Sequence, residues 1–226
     1  MIFILMLMLF QPSLANANVI VDDEALIYMS ATIKYEQEYQ IEKYLLAAIS
    51  TVETGRWNAE LRHRAAWPWT INARGRGYYY KTKEEAIEAV EALRELGVES
   101  IDVGCMQVNL SFHGHAFASL EDAFDPEKNV EYAASHLAKL YSRRQDWMKA
   151  ATDYHSKTPS KARRYERKLV SVFEEVMYMQ NRFEKKYAQT LIAWELEEQN
   201  RGWFSRVWGG TTPAKPMKDL KLSFRG

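Results

Sequence analysis

From residue 22 to about residue 200 the chain is written largely in helical period. The segment "DDEALIYMSATIKYEQEY" opens on acidic residues, which suit the positive end of a helix. Residues 40–54 predict the next helix, with Ile41, Leu45, Ala48, Ile49 and Val52 on one stripe and Gly55 as the residue that ends it. The pattern then breaks. "AWPWTINARGRGYYYK" carries Pro68, Gly75 and Gly77, so Trp69–Asn72 and Gly77–Tyr80 are expected to pair as a short hairpin. "TKEEAIEAVEALRELG" returns to helix, with Thr82 and Glu85 as a capping box and Gly97 as the stop. "VESIDVGCMQVNLSF" is β-branched and not helical by pattern. Asp125-Pro126 opens a further helix as N-cap and N1, "DWMKAATDYHS" gives a shorter one, and Thr158-Pro159 starts a long charged helix docked by Leu169, Val172, Phe173 and Val176. The expected class is mainly α (α+β): a helical domain with a small β-hairpin insertion, then a long C-terminal helix and a disordered Gly/Pro-rich tail. The boundaries are placed at 18–178 for the domain and 179–226 for the helical extension and tail.

The first seventeen residues stand apart. "MIFILMLMLFQPSLANA" has an apolar run, Pro12 as a break and Ala15-Asn16-Ala17 as a small-x-small cleavage site, so residues 1–17 are expected to be a signal peptide and the protein periplasmic. The run is shorter than a membrane span. Formal net charge is zero, which gives no reason to expect nucleic acid as a partner. Cys105 is the only cysteine, so the fold stands on its core without an internal disulfide.

Candidate chemistry starts at "STVETG". Residues four apart on a helix share a line, and Leu45, Ile49 and Glu53 share one, so Glu53 continues the apolar stripe. A carboxyl group in apolar surroundings holds its proton, as a general acid must. The alternative is a frayed last turn with Glu53 in water. In "DVGCMQVN" Gly104 permits close backbone approach, and Gln107 and Asn109 are amides able to donate and accept. Trp67, Trp69, Tyr78, Tyr79 and Tyr80 lie among Arg74 and Arg76, a composition that fits a saccharide groove. Tyr154 and His155 close a helix ahead of a loop. The five histidines show no metal-binding spacing, and no metal or cofactor is expected.

Together "STVETG", "VGCMQVN", "FDPEKNVEYAASHLAKLY" and "ATDYHS" resemble, in order and spacing, the soluble lytic transglycosylase (SLT) domain of the lysozyme-like superfamily, over roughly residues 40–175. The segment from Trp67 to Val90 resembles the insertion of alphaproteobacterial members. The resemblance implies Glu53 as the catalytic residue and Thr54, Trp69, Met106, Gln107, Asn109, Tyr132 and Tyr154 as substrate-binding residues. The implied substrate is the peptidoglycan glycan strand and the implied product a 1,6-anhydro sugar, formed without a cofactor. Departures are plain: Thr54 replaces a serine, Arg62 stands where another serine is usual, Cys105 replaces a leucine and His155 an asparagine. Goose-type lysozymes, which are relatives, carry an aspartate where this chain has Asn109. The resemblance therefore favours a transglycosylase over a lysozyme-like hydrolase, in which Asp102 would be the second carboxylate. A noncatalytic saccharide-binding or assembly factor is the remaining alternative. The residues after 178 are either a docking element for a secretion, pilus or flagellar apparatus or a solvated helix that caps a monomer.

Overall fold

In the computed structural model, which describes residues 23–59 and 62–208 and side chains over most of 28–185, the helical stripes assemble into two joined cores. The first is mostly helical. It packs α1 (Asp23–Glu38), α2 (Leu45–Thr54), α6 (Pro126–Arg144), α7 (Trp147–His155) and α8 (Pro159–Trp208) around Leu45, Leu46, Ile49, Val130, Leu137 and Leu169. The second core joins a four-stranded antiparallel sheet to α3 (Lys83–Glu95) and α5 (Leu120–Ala123) through Ile71, Val90, Ile101, Val103 and Phe124. This is the expected mainly helical α+β architecture. The leader at 1–17 and the tail after residue 208 lie outside the described residues.

Local signals hold where the chain chemistry is local. Thr82 accepts from the Glu85 amide at 3.2 Å and the Glu85 carboxylate accepts from the Lys81 amide at 2.8 Å. Gly97 leaves α3 at φ 73°. The predicted hairpin forms as β3 (Thr70–Ala73) with β4 (Arg76–Tyr79). Its two turn residues, Arg74 and Gly75, both take positive φ (53° and 76°), the turn whose twist matches right-handed strands. The non-helical segment supplies β5 (Ile101–Val103), paired with β3, and β6 (Val108–Asn109), paired with β5. Asn109 then caps the short α4 (Leu110–His113).

Three features differ from the pattern. The second helix begins at Leu45, not at residue 40, because Gln40 and Tyr44 adopt left-handed φ (53° and 74°). Its cap is remote: the buried carboxylate of Glu36 accepts from the amides of Tyr44 (2.8 Å), Leu46 (2.9 Å) and Ala47 (3.4 Å). Gly55 does not turn left-handed but runs extended (φ −60°, ψ 119°) into a second hairpin, β1 (Gly55–Asn58) with β2 (His63–Ala66). Glycine is required there by space, since a Cβ would lie 2.2 Å from the Thr51 carbonyl oxygen. Arg62, which stands at the position of the missing serine, sits exposed in the loop of that hairpin.

Helix α8 continues through residue 178 without a break. Leu169, Val172 and Val176 are buried, and farther on Gln180 is buried, Asn181 accepts from the Tyr44 hydroxyl at 2.9 Å and Glu184 pairs with Lys43 at 3.2 Å. Among the described residues no helix is long and apolar enough to cross a membrane.

The Glu36 cap has a pH consequence. Burial raises its carboxyl from 4.5 to about 7, outweighing the amide hydrogen bonds that favour the anion. The native state therefore holds this proton more tightly than the unfolded chain. Its contribution, roughly 3 kcal/mol, is complete below pH 4.5 and is lost as pH rises through 7. His63, His113 and His136 act in the opposite sense, because burial lowers each of them. Denaturation at pH 5 and pH 8 of the wild type beside Glu36→Gln isolates the Glu36 part. The expected result is that only the wild type carries this decline; equal slopes would refute it.

Candidate active site

Glu53 stands in the last turn of α2, where the helical core meets the sheet. Its neighbour Thr54 is fully buried and clips the two together. The Thr54 hydroxyl lies 3.2 Å from the Ser50 carbonyl and 3.1 Å from the Cys105 carbonyl, and it accepts from the Trp67 amide at 3.3 Å. The hydroxyl that replaces the usual serine thus faces inward and fixes the helix end. Most of α2 is buried around its whole circumference, and the Glu53 side chain retains 15 % exposure at the open end.

Aromatic and imidazole groups surround that carboxylate. His155 Nδ1 is 3.6 Å from Glu53 Oε1, too long for a hydrogen bond. The His155 ring stacks on Tyr165 at 4.2 Å, with 4° between planes. Tyr165 is buried, and its hydroxyl lies within the field of Glu53 yet meets no partner at hydrogen-bond geometry. Tyr154 donates its hydroxyl to the Met106 carbonyl at 2.8 Å. Burial first, and the charge of Glu53 second, push both phenols well above their ordinary range, so both stay neutral.

The turn at 104–107 forms the floor. Gly104 has φ 77°, and a Cβ there would fall 2.4 Å from the Asn129 side chain. Fully buried Asn129 accepts from the Met106 amide at 2.9 Å and donates to the Val103 and Ala123 carbonyls at 3.2 and 2.9 Å. Gln107, half-buried at φ 49°, donates Nε2 to the Gly104 and Thr70 carbonyls at 2.9 and 3.3 Å. The Met106 side chain is wholly within the core. Asn109 is committed internally. Its Nδ2 donates to Asp102 at 2.7 Å and to Ser100 at 3.0 Å, while its Oδ1 accepts from the Ser111 and Phe112 amides. Asp102 is raised by burial, lowered by the Asn109 hydrogen bond and raised again by Glu53, so the two carboxylates share one field.

The aromatic positions divide. Trp69 is 7 % exposed, packs in the second core and leaves its indole N–H unpartnered. Tyr132 bonds His113 Nδ1 at 2.8 Å and stacks on His136. Arg56, three residues past Glu53, lies between two rings, 5.4 Å from the Trp67 centroid and 4.9 Å from that of Tyr79. Among the described residues, Trp57 (67 %) and Phe112 (73 %) are the most open large rings. The structure therefore gathers Glu53, Tyr154, His155 and Tyr165, with Gln107 on the adjoining turn, while Thr54, Met106, Trp69 and Asn109 serve as buried or internally bonded supports. Tyr165 has no motif to announce it: it is one tyrosine in a long charged helix.

The fold and this site define a lysozyme-like domain that carries a lone glutamate at a helix end. Residues 30–169 match the Transglycosylase SLT domain, more than half of the chain, and the protein belongs to that family. No curated protein and no solved structure matches the chain. The family acts on peptidoglycan, which lies outside the cytoplasmic membrane, and the protein's place of work is there.

Proposed function

We propose that the protein is a lytic transglycosylase that cleaves the β-1,4 bond between N-acetylmuramic acid and N-acetylglucosamine, with Glu53 as acid and then base. The observation that carries the reading is the setting of Glu53: partly enclosed at the end of α2, beside two neutral phenols and an imidazole. Protonated Glu53 gives its proton to the glycosidic oxygen, the bond to the muramoyl C1 breaks, and positive charge spreads over C1 and the ring oxygen. The Glu53 carboxylate faces that charge. It then takes the proton of the muramoyl C6 hydroxyl as that oxygen closes onto C1. The products are a 1,6-anhydro end and a free 4-hydroxyl, no water is consumed, and Glu53 is protonated again. Gln107 keeps its carbonyl oxygen free of hydrogen bonds among the described residues, which suits an acetamide N–H. No metal or cofactor enters this route. Export through residues 1–17, action as a monomer and docking to an envelope machine through the helix after 178 belong to the same reading.

A muramidase in which Asp102 activates water is the second reading, favoured by the field Asp102 shares with Glu53. Against it, Asn109 occupies one oxygen of Asp102. Asp102→Asn separates the two: anhydro ends persist as products in the first reading, and turnover collapses in the second.

A further inference from the structure

A depression opens on the α8 side of Glu53, lined by His155, Lys161, Arg164, Tyr165 and Lys168. It is continuous with the active site through His155, whose Nδ1 is 3.6 Å from Glu53. Lys161, Arg164 and Lys168 recur at helical spacing and so share one face. None of the three is ion-paired among the described residues. Residues 157–168, "KTPSKARRYERK", hold six cations and one anion in a chain whose formal net charge is zero. The segment opens α8, whose first turn has no acidic residue. Lys161 lies in the first turn of α8, the positive end of the helix dipole, so its charge opposes the helix it sits on. Among the described residues no carboxylate lies within ion-pair distance of Lys161, Arg164 or Lys168. Unpaired cations beside a cleavage site fit an anion attached to the molecule being cleaved.

We infer that this depression binds a carboxylate of the peptide stem carried by the glycan strand, through Lys161, Arg164 and Lys168. The inference rests on the reading of Glu53 as the acid that cleaves peptidoglycan. It makes the enzyme selective for strands that bear charged stems at the muramoyl unit next to the broken bond. Stem carboxylates fit better than a membrane surface, because the pocket is concave and borders Glu53 through His155.

The test measures binding to soluble glycan strands by the full chain carrying Glu53→Gln, which removes turnover from the readout. One strand preparation keeps its stem carboxylates, and the other has them converted to amides. Each is bound by the Glu53→Gln chain and by the same chain with Lys161→Gln, Arg164→Gln and Lys168→Gln. The inference predicts about tenfold weaker binding when either the stems or the pocket lose charge, and no further loss when both do. Equal affinity for the two strand types overturns it, as does a pocket variant that loses equally on both. Binding of anionic lipid vesicles through these residues, with strand affinity untouched, also overturns it and assigns the patch to a membrane. A wild-type chain that cleaves no strand would instead refute the reading of Glu53, an outcome these binding measurements keep separate.

Discussion

Glu53→Gln is expected to lower strand cleavage about a thousandfold or more while leaving the fold intact. The amide keeps the size and shape of the carboxyl group but carries no transferable proton, so it can neither protonate the leaving oxygen nor take the C6 proton. Both halves of the proposed route fail together, which is why the effect exceeds that of losing a single binding contact. Stability should change little. Glu53 keeps some exposure at the open end of the site, and His155 Nδ1 stands off its carboxylate at 3.6 Å. A turbidity assay on purified cell wall reads the first outcome and a thermal melt the second. Retained lysis would remove Glu53 from the mechanism.

The second large effect is structural. Asn129→Ala should cost on the order of 4 kcal/mol and lower the melting temperature by about 10 °C, with activity falling as the turn below Glu53 loosens. Asn129 holds the Met106 amide and the Val103 and Ala123 carbonyls, all in the interior. Truncation removes the side-chain partner of three buried backbone groups and leaves a void beside Gly104. Asn129→Asp should not rescue, since it restores the acceptor, loses both donors and buries a charge. Thermal unfolding of both variants checks this, and a loss below about 1 kcal/mol in each would contradict the assigned role.

What was legible in the chain was what adjacent residues decide. The Thr82–Glu85 box, the Asp125-Pro126 opening and the Arg74-Gly75 turn are each set within a few residues. The features that escaped are set at a distance. The start of α2 depends on Glu36, eight to eleven residues upstream of the amides it caps. The β1–β2 hairpin turns through a segment without glycine or proline, so it carries no turn dipeptide. At the site, the place of Glu53 at the end of α2 was legible because it extends an apolar line. The inward placement of Thr54, Met106, Trp69 and Asn109 was not, because residue type cannot say whether a hydroxyl or amide faces solvent or a neighbouring carbonyl. Asn109 illustrates this: the chain marks it as a residue that cannot be a base, and the fold adds that it clamps Asp102.

The central claim is that the sugar's own C6 hydroxyl replaces water. Mass spectrometry of muropeptides released by the wild-type protein tests it most directly. Closure by the C6 hydroxyl yields muramoyl ends one water lighter than the hydrolytic product and resistant to borohydride reduction. Reducing ends that incorporate oxygen from labelled water would contradict it.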